Sequence, residues 1–199
     1  VAMNQNTLDF PFKRYQIGKN YRGERPQKGR FREFYQCDAD VIGSESLPLV
    51  YDAECIALYP ECFKALGFEI IVEISDRNIL NGIIADVKQE EKTNEILTLL
   101  DKIDKLGRET IKEELSTLGI PESDCEKLLL VADNKGSIGD LLSKIENLSS
   151  NEVFVKGLNN LKEIDAYLNA FGVNQNNYIY NLSIIRGHNY YTGTVFEVF

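Results

Sequence analysis

The sequence has a single histidine, His188, and four cysteines, Cys37, Cys55, Cys62 and Cys125, with no C-x-x-C spacing among them. A protein zinc site draws on sulfur and imidazole at short, fixed spacings, so this inventory argues against one and predicts reduced, partly buried thiols instead. Tryptophan is absent, yet ten Phe, ten Tyr and 43% hydrophobic residues are ordinary for a globular protein and exclude wholesale disorder. No apolar run reaches the roughly 18 residues that a membrane-spanning helix needs, so no membrane partner is expected. The opening Val1-Ala2-Met3-Asn4 also lacks the basic-then-apolar pattern of a secretory signal. A cytoplasmic protein is the default. The 199 residues allow one good-sized core, or a core with a smaller module appended.

Charge is scarce in one sign over most of the chain and concentrated in the other over a short stretch. The net charge is -9, which argues against a protein that coats nucleic acid nonspecifically. From Lys13 to Arg32, however, eight basic residues (Lys13, Arg14, Lys19, Arg22, Arg25, Lys28, Arg30, Arg32) face one acid, Glu24. That segment carries +7 and leaves -16 for the remainder. A cationic block held in an acidic protein is a focused site for an anion.

Three regions separate by pattern. Residues 10–43 read as a long hairpin: Tyr15, Ile17 and Tyr21 precede the turn signal Pro26-Gln27-Lys28-Gly29, and Phe31, Phe34, Val41 and Ile42 follow it. A helix is expected over 52–66, with Asp52 as N-cap and Pro60 marking a kink or a start, and a strand over 68–74 from the alternation of Phe68, Ile70, Val72 and Ile74. From about 76 to 172 the apolar spacing turns helical, interrupted at Gly119-Ile120-Pro121 and closed by Gly172. Composition rich in β-formers returns over 178–185 and 191–199.

Alternation on strands predicts that Arg22 and Arg30 share a face across the hairpin. Guanidinium forks match phosphate oxygens bidentately and stay charged at any working pH. A bare run of charge is usually a solvated face. Here the arginines sit between aromatic residues, and a stacking ring beside a cationic clamp suits a nucleotide.

The same residues carry a resemblance. Arg22-Gly23-Glu24-Arg25-Pro26-Gln27-Lys28-Gly29-Arg30, continued by Phe34-Tyr35-Gln36, resembles motif 2 of class II aminoacyl-tRNA synthetases in the form found in histidyl-tRNA synthetases. Downstream, Arg186-Gly187-His188-Asn189-Tyr190-Tyr191-Thr192-Gly193-Thr194-Val195-Phe196-Glu197 is similar to the histidine-specific motif of that family. The resemblance implies an α+β fold: a mainly antiparallel class II catalytic core with helices, interrupted by a helical insertion. The core would occupy 1–75 and 173–199, and the insertion 76–172, near the acceptor arm of the tRNA.

What the resemblance implies about chemistry is specific. ATP is the nucleotide substrate, with Mg²⁺ bridging its phosphates; Arg22 would bind the α-phosphate and the substrate carboxylate, Glu24 and Phe34 the adenine, and Arg30 the γ-phosphate. L-Histidine would be held by Gln36 and Asp40 through its amino group and ring, with Tyr190 and Tyr191 closing the imidazole pocket. Arg22 and Arg186, at the reacting α-phosphate, would be the catalytic pair. Histidyl-adenylate would form and then pass its histidyl group to tRNA(His), in a homodimer for the full-length enzyme.

Two departures qualify this. His188-Asn189 stands where the family has Leu followed by an acid, and Asn189 keeps the shape of Asp without its charge. The dimer-forming motif 1, the motif 3 arginine and an anticodon-binding domain are not in the chain, and Val1 stands in place of Met. A truncated fragment that does not aminoacylate tRNA by itself is therefore expected. A synthetase-like regulatory paralogue that binds histidine or uncharged tRNA is the alternative, and a plain RNA-binding fragment a further one.

Overall fold

The computed structural model describes residues 1–185 and 190–199 and divides into two compact units, Val1–Tyr51 and Asp52–Phe199. In the first, β1 (Phe12–Tyr21) and β2 (Glu33–Ile42) pair antiparallel from Phe12↔Ile42 to Tyr21↔Glu33. Side chains alternate across such a ribbon. Phe34, Gln36, Asp38 and Asp40 are half-buried on one face, and Glu33, Tyr35, Cys37 and Ala39 are exposed on the other.

The second unit begins in α1 (Val50–Ala65). That helix starts earlier than expected, so Asp52 lies in its first turn rather than at the cap, where its negative charge still favours the helix N-terminus. Pro60 lies inside the helix and does not start it. A four-stranded sheet follows, in the order β4 (Lys135–Gly136), β5 (Tyr178–Asn181), β3 (Val72–Asp76), β6 (Thr194–Val198). Two of its three pairings are antiparallel; β3 and β5 run parallel, from Val72↔Tyr178 to Ile74↔Tyr180. A parallel pair needs a crossover. The helices between β3 and β5 supply it: α2 (Arg77–Asp86), α3 (Thr93–Leu100), α4 (Ile103–Leu106), α5 (Arg108–Thr117), α6 (Glu122–Ala132), α7 (Ile138–Ile145) and α8 (Glu152–Ala170).

The strand expected over 68–74 is displaced to 72–76, and the reason is instructive. Ile70, Val72 and Ile74 are buried as the alternation predicts, but Phe68 and Ile71 are exposed and Glu73 is buried. Glu73 lies inside because its partners satisfy it: Asn181 Nδ2 donates to Oε2 at 2.6 Å and the Lys135 ammonium pairs with Oε1. Both partners come from strands distant in sequence, so the local pattern could not announce them. The short strand β4, inside a stretch that reads as wholly helical, pairs with β5 at Lys135↔Asn181 and Gly136↔Tyr180, again a contact distant in sequence.

The core of this unit lies where α2 crosses α8. Ile79, Leu80, Ile83 and Ile84 of α2 pack with Phe154, Leu158, Leu161 and Ile164 of α8, and Gly82 and Gly157 let the backbones approach. Asp76 fixes this crossing to the sheet: its Oδ1 accepts from the backbone N–H of Asn78 at 2.8 Å, and its Oδ2 accepts from Asn160 Nδ2 of α8, also at 2.8 Å.

Burial raises the Asp76 carboxyl above its usual 3.8, against the hydrogen bonds from Asn160 and Asn78 that lower it. The folded protein therefore holds this proton to a higher pH than the unfolded chain. The group's contribution to stability is full below 3.8 and is lost as pH rises through the folded value. In urea titrations across that window, Asp76→Asn is expected to flatten the loss of stability with rising pH; an unchanged slope would show that another group carries it.

Candidate functional site

The hairpin tip is a loop, which corrects the expectation of arginines on paired strands. The strands end at Tyr21 and Glu33, and Gln27 to Arg30 form a tight turn closed by Arg30 N–H to Gln27 C=O at 2.9 Å and Gln27 N–H to Arg30 C=O at 3.1 Å. Gly29 takes φ +79° there, a conformation costly for any residue with a side chain. Arg22 pairs by backbone with Arg32 at 2.8 Å, so Arg32, and not Arg30, lies opposite it. Glu24 is exposed, and its carbonyl accepts from Arg32 Nε at 3.4 Å. Arg30 is exposed on the turn.

Below the tip the ribbon assembles a polar strip. The Arg22 guanidinium lies over the Phe34 ring, 4.5 Å from its centre, a cation–π contact that places its charge on the aromatic face. Farther along the same face, Gln36 Nε2 donates to Asp38 Oδ1 at 2.9 Å, and Arg14 Nη2 lies 2.5 Å from Asp40 Oδ2 in an ion pair. Neither Asp38 nor Arg14 is a candidate on sequence grounds. The register Arg14↔Asp40 makes the second pairing possible; counting outward from the Gln27–Arg30 turn would set Arg14 opposite Gly43 instead, because the tip is asymmetric and offsets the register. The strip thus presents, in order, a stacked guanidinium, a held amide and a neutralised carboxylate.

The second group of candidates lies in the other unit. The Tyr190 and Tyr191 rings meet edge to face, with centres 5.2 Å apart and planes at 89°. Tyr190 is 83% exposed and Tyr191 50%. Their backbone is tied to the start of α2: Arg77 N–H donates to Gly193 C=O at 3.1 Å, and the Arg77 guanidinium donates to Tyr191 C=O. Nothing local in the sequence marks Arg77, a lone arginine at a helix start, as the partner of a loop more than a hundred residues away. Arg186, expected as a catalytic residue, lies outside the described residues, as do His188 and Asn189.

A sequence model of histidyl-tRNA synthetase matches residues 2–199. The chain belongs to the histidyl-tRNA synthetase family. The histidine–tRNA ligase of Clostridium tetani (strain Massachusetts / E88) is 41% identical over 199 residues, which cover 99% of this chain and 45% of that protein. The crystal structure of the histidyl-tRNA synthetase from Nostoc sp. PCC 7120 superposes with a TM-score of 0.90 at 34% identity, over 99% of this chain and 46% of the Nostoc chain. A Bacillus halodurans protein described as an ATP phosphoribosyltransferase regulatory subunit/histidyl-tRNA synthetase shares the fold, with a TM-score of 0.85 at 22% identity over all of this chain and 50% of its own. The chain thus spans about half the length of the histidyl-tRNA synthetases it matches, or less. The α+β class II fold expected from the two motifs is the observed one.

Proposed function

We propose that the chain is part of the catalytic domain of a histidine–tRNA ligase, an enzyme that activates L-histidine with ATP and passes it to tRNA(His). The observation that carries this reading is the Arg22 guanidinium stacked on Phe34 at 4.5 Å, beside the strip of Gln36, Asp38 and Asp40. A nucleotide needs a ring to stack on and a fixed cation for its phosphates, and an amino acid's ammonium needs oxygen acceptors. The ribbon offers all of these on one face. Arg22 would take the α-phosphate and the histidine carboxylate, Glu24 and Phe34 the adenine, and Arg30 the γ-phosphate, with Gln36 and Asp40 on the histidine amino group and ring. Tyr190 and Tyr191 would enclose the imidazole, and Arg186 would join Arg22 at the α-phosphate. The core would comprise 1–75 and 173–199 around an insertion at 76–172, with β3, β5 and β6 in one sheet that β4 of the inserted segment joins at its edge.

The reaction explains why arginines are wanted and a general base is not. The histidine carboxylate is already ionised; its oxygen attacks the α-phosphorus in line, the bond to the bridging oxygen breaks, and pyrophosphate leaves. Negative charge gathers on the equatorial oxygens, where guanidinium donors are most effective. Mg²⁺ would bridge the phosphates and arrive with the nucleotide; among the described residues no three His, Cys, Asp or Glu side chains cluster to hold a metal. In a second step the ribose hydroxyl at the 3′ end of tRNA attacks the carbonyl of the adenylate and AMP leaves. We read the full-length enzyme as a cytoplasmic homodimer. No helix among the described residues is long and apolar enough to cross a membrane.

Calorimetric titration of the chain with ATP, with histidine and with a short RNA tests the proposal. Saturable ATP binding, insensitive to a scrambled RNA competitor, is expected. Salt-sensitive RNA binding with no affinity for either small molecule would overturn it in favour of a phosphate-backbone reader.

A further inference from the structure

We infer that Arg77 is a positioning residue for the tyrosine pair, fixing from the first turn of α2 the backbone that carries Tyr190 and Tyr191. This rests on the proposed reading of those tyrosines as part of the histidine pocket. Tyr190 is 83% exposed and Tyr191 50%, so packing does little to set where their rings point. Orientation has to come from the main chain. The segment enters β6, which pairs with β3 at Asp76↔Thr194, and so passes beside the residue that ends β3 and opens α2.

Arg77 follows Asp76 as the first residue of α2, and it grips the segment twice. Its backbone N–H, one of the donors a helix N-terminus leaves without an internal partner, donates to Gly193 C=O at 3.1 Å. Its guanidinium donates to Tyr191 C=O. Carbonyls two residues apart are thus held on either side of Thr192, which fixes the peptide plane that follows Tyr191 directly and Tyr190 through its neighbour, whose ring meets its own edge to face. The anchor is itself secured, because Asp76 ties the start of α2 to Asn160 of α8 at 2.8 Å. A guanidinium suits the task because it is rigid, planar and always charged. A lysine could reach one carbonyl but would not hold its direction.

Arg77→Ala leaves the backbone tether and removes the other. Histidine affinity is expected to fall about tenfold or more, with ATP affinity unchanged and partial recovery in Arg77→Lys. Unchanged histidine affinity would overturn the inference, as would parallel losses of both ligands and of melting temperature, the mark of a merely structural role. Because the chain has no tryptophan, Tyr191→Trp supplies a single reporter that needs no ligand. If the parent chain binds no histidine, the functional reading fails, and time-resolved anisotropy of the reporter decides separately. Faster local motion upon Arg77→Ala sustains the positioning role, and unchanged motion ends it.

Discussion

Gly82→Ala is expected to lower the melting temperature of the Asp52–Phe199 unit by several degrees, although alanine is the better helix former. A methyl group at Gly82 would lie 2.4 Å from the Phe154 backbone nitrogen and 2.6 Å from both its Cα and Cβ. The obstacle is mainly main chain, which cannot rotate aside, so α2 and α8 must separate. Gly157 repeats the geometry from the other side, with a methyl 2.7 Å from Ile79 Cγ1 and 2.8 Å from the Ile79 nitrogen. Propensity gains about 1 kcal/mol, while overpacking of a tight core costs about 1–3 kcal/mol or more. A clash against backbone belongs at the upper end, and a net loss of about 2 kcal/mol corresponds to roughly 4–8 °C for a unit of this size. Gly139 in α7 is the control: the nearest atom to its methyl would be Ser137 Oγ at 4.0 Å, so the same substitution should be neutral or stabilising. Thermal melts by circular dichroism read both. Equal or raised stability in Gly82→Ala would mean that the crossing is looser than its geometry.

The crossing also bears on function. Arg77 lies on the same helix as Gly82, so displacement of α2 would carry with it the residue that grips Tyr191 and Gly193. A Gly82→Ala protein that still folds should therefore share part of the Arg77→Ala phenotype.

What the sequence made legible was whatever depends on neighbours along the chain. The hairpin, its turn signal Pro26-Gln27-Lys28-Gly29, one residue ahead of the turn at Gln27 to Arg30, the break at Gly119-Ile120-Pro121 and the helical period from Ile79 to Phe171 are local signals, and each has its counterpart in the structure. The two motifs likewise pointed to the family and fold. What escaped was set by contacts across the fold. Glu73 read as an outward residue because its partners, Lys135 and Asn181, come from two other strands. Arg22 and Arg30 seemed to share a face because strand alternation was carried into a tip where pairing has given way to a turn. Arg14 and Arg77 were invisible as supports because a supporting residue is defined by what it touches.

Arg22→Ala is expected to have the largest effect on ligand binding, weakening ATP by well over tenfold. The comparison with Arg22→Lys identifies the physics. Charge alone would be restored by lysine; a planar fork stacked 4.5 Å from the Phe34 ring would not. We therefore expect lysine to recover only a minor part of the affinity. Phe34→Leu tests the same contact from the other side: it removes both the ring on which adenine would stack and the surface under the Arg22 guanidinium, so only the stacking part of its effect should add to that of Arg22→Ala in the double variant. Calorimetry on the four proteins closes the cycle. In GTPases an arginine aimed at developing phosphoryl charge accounts for about 10³- to 10⁵-fold in rate, so in the full-length enzyme Arg22→Ala should impair catalysis more than binding. ATP affinity unchanged in Arg22→Ala, or fully restored in Arg22→Lys, would show that the stacked guanidinium is a solvated surface feature and that the nucleotide, if bound, lies elsewhere.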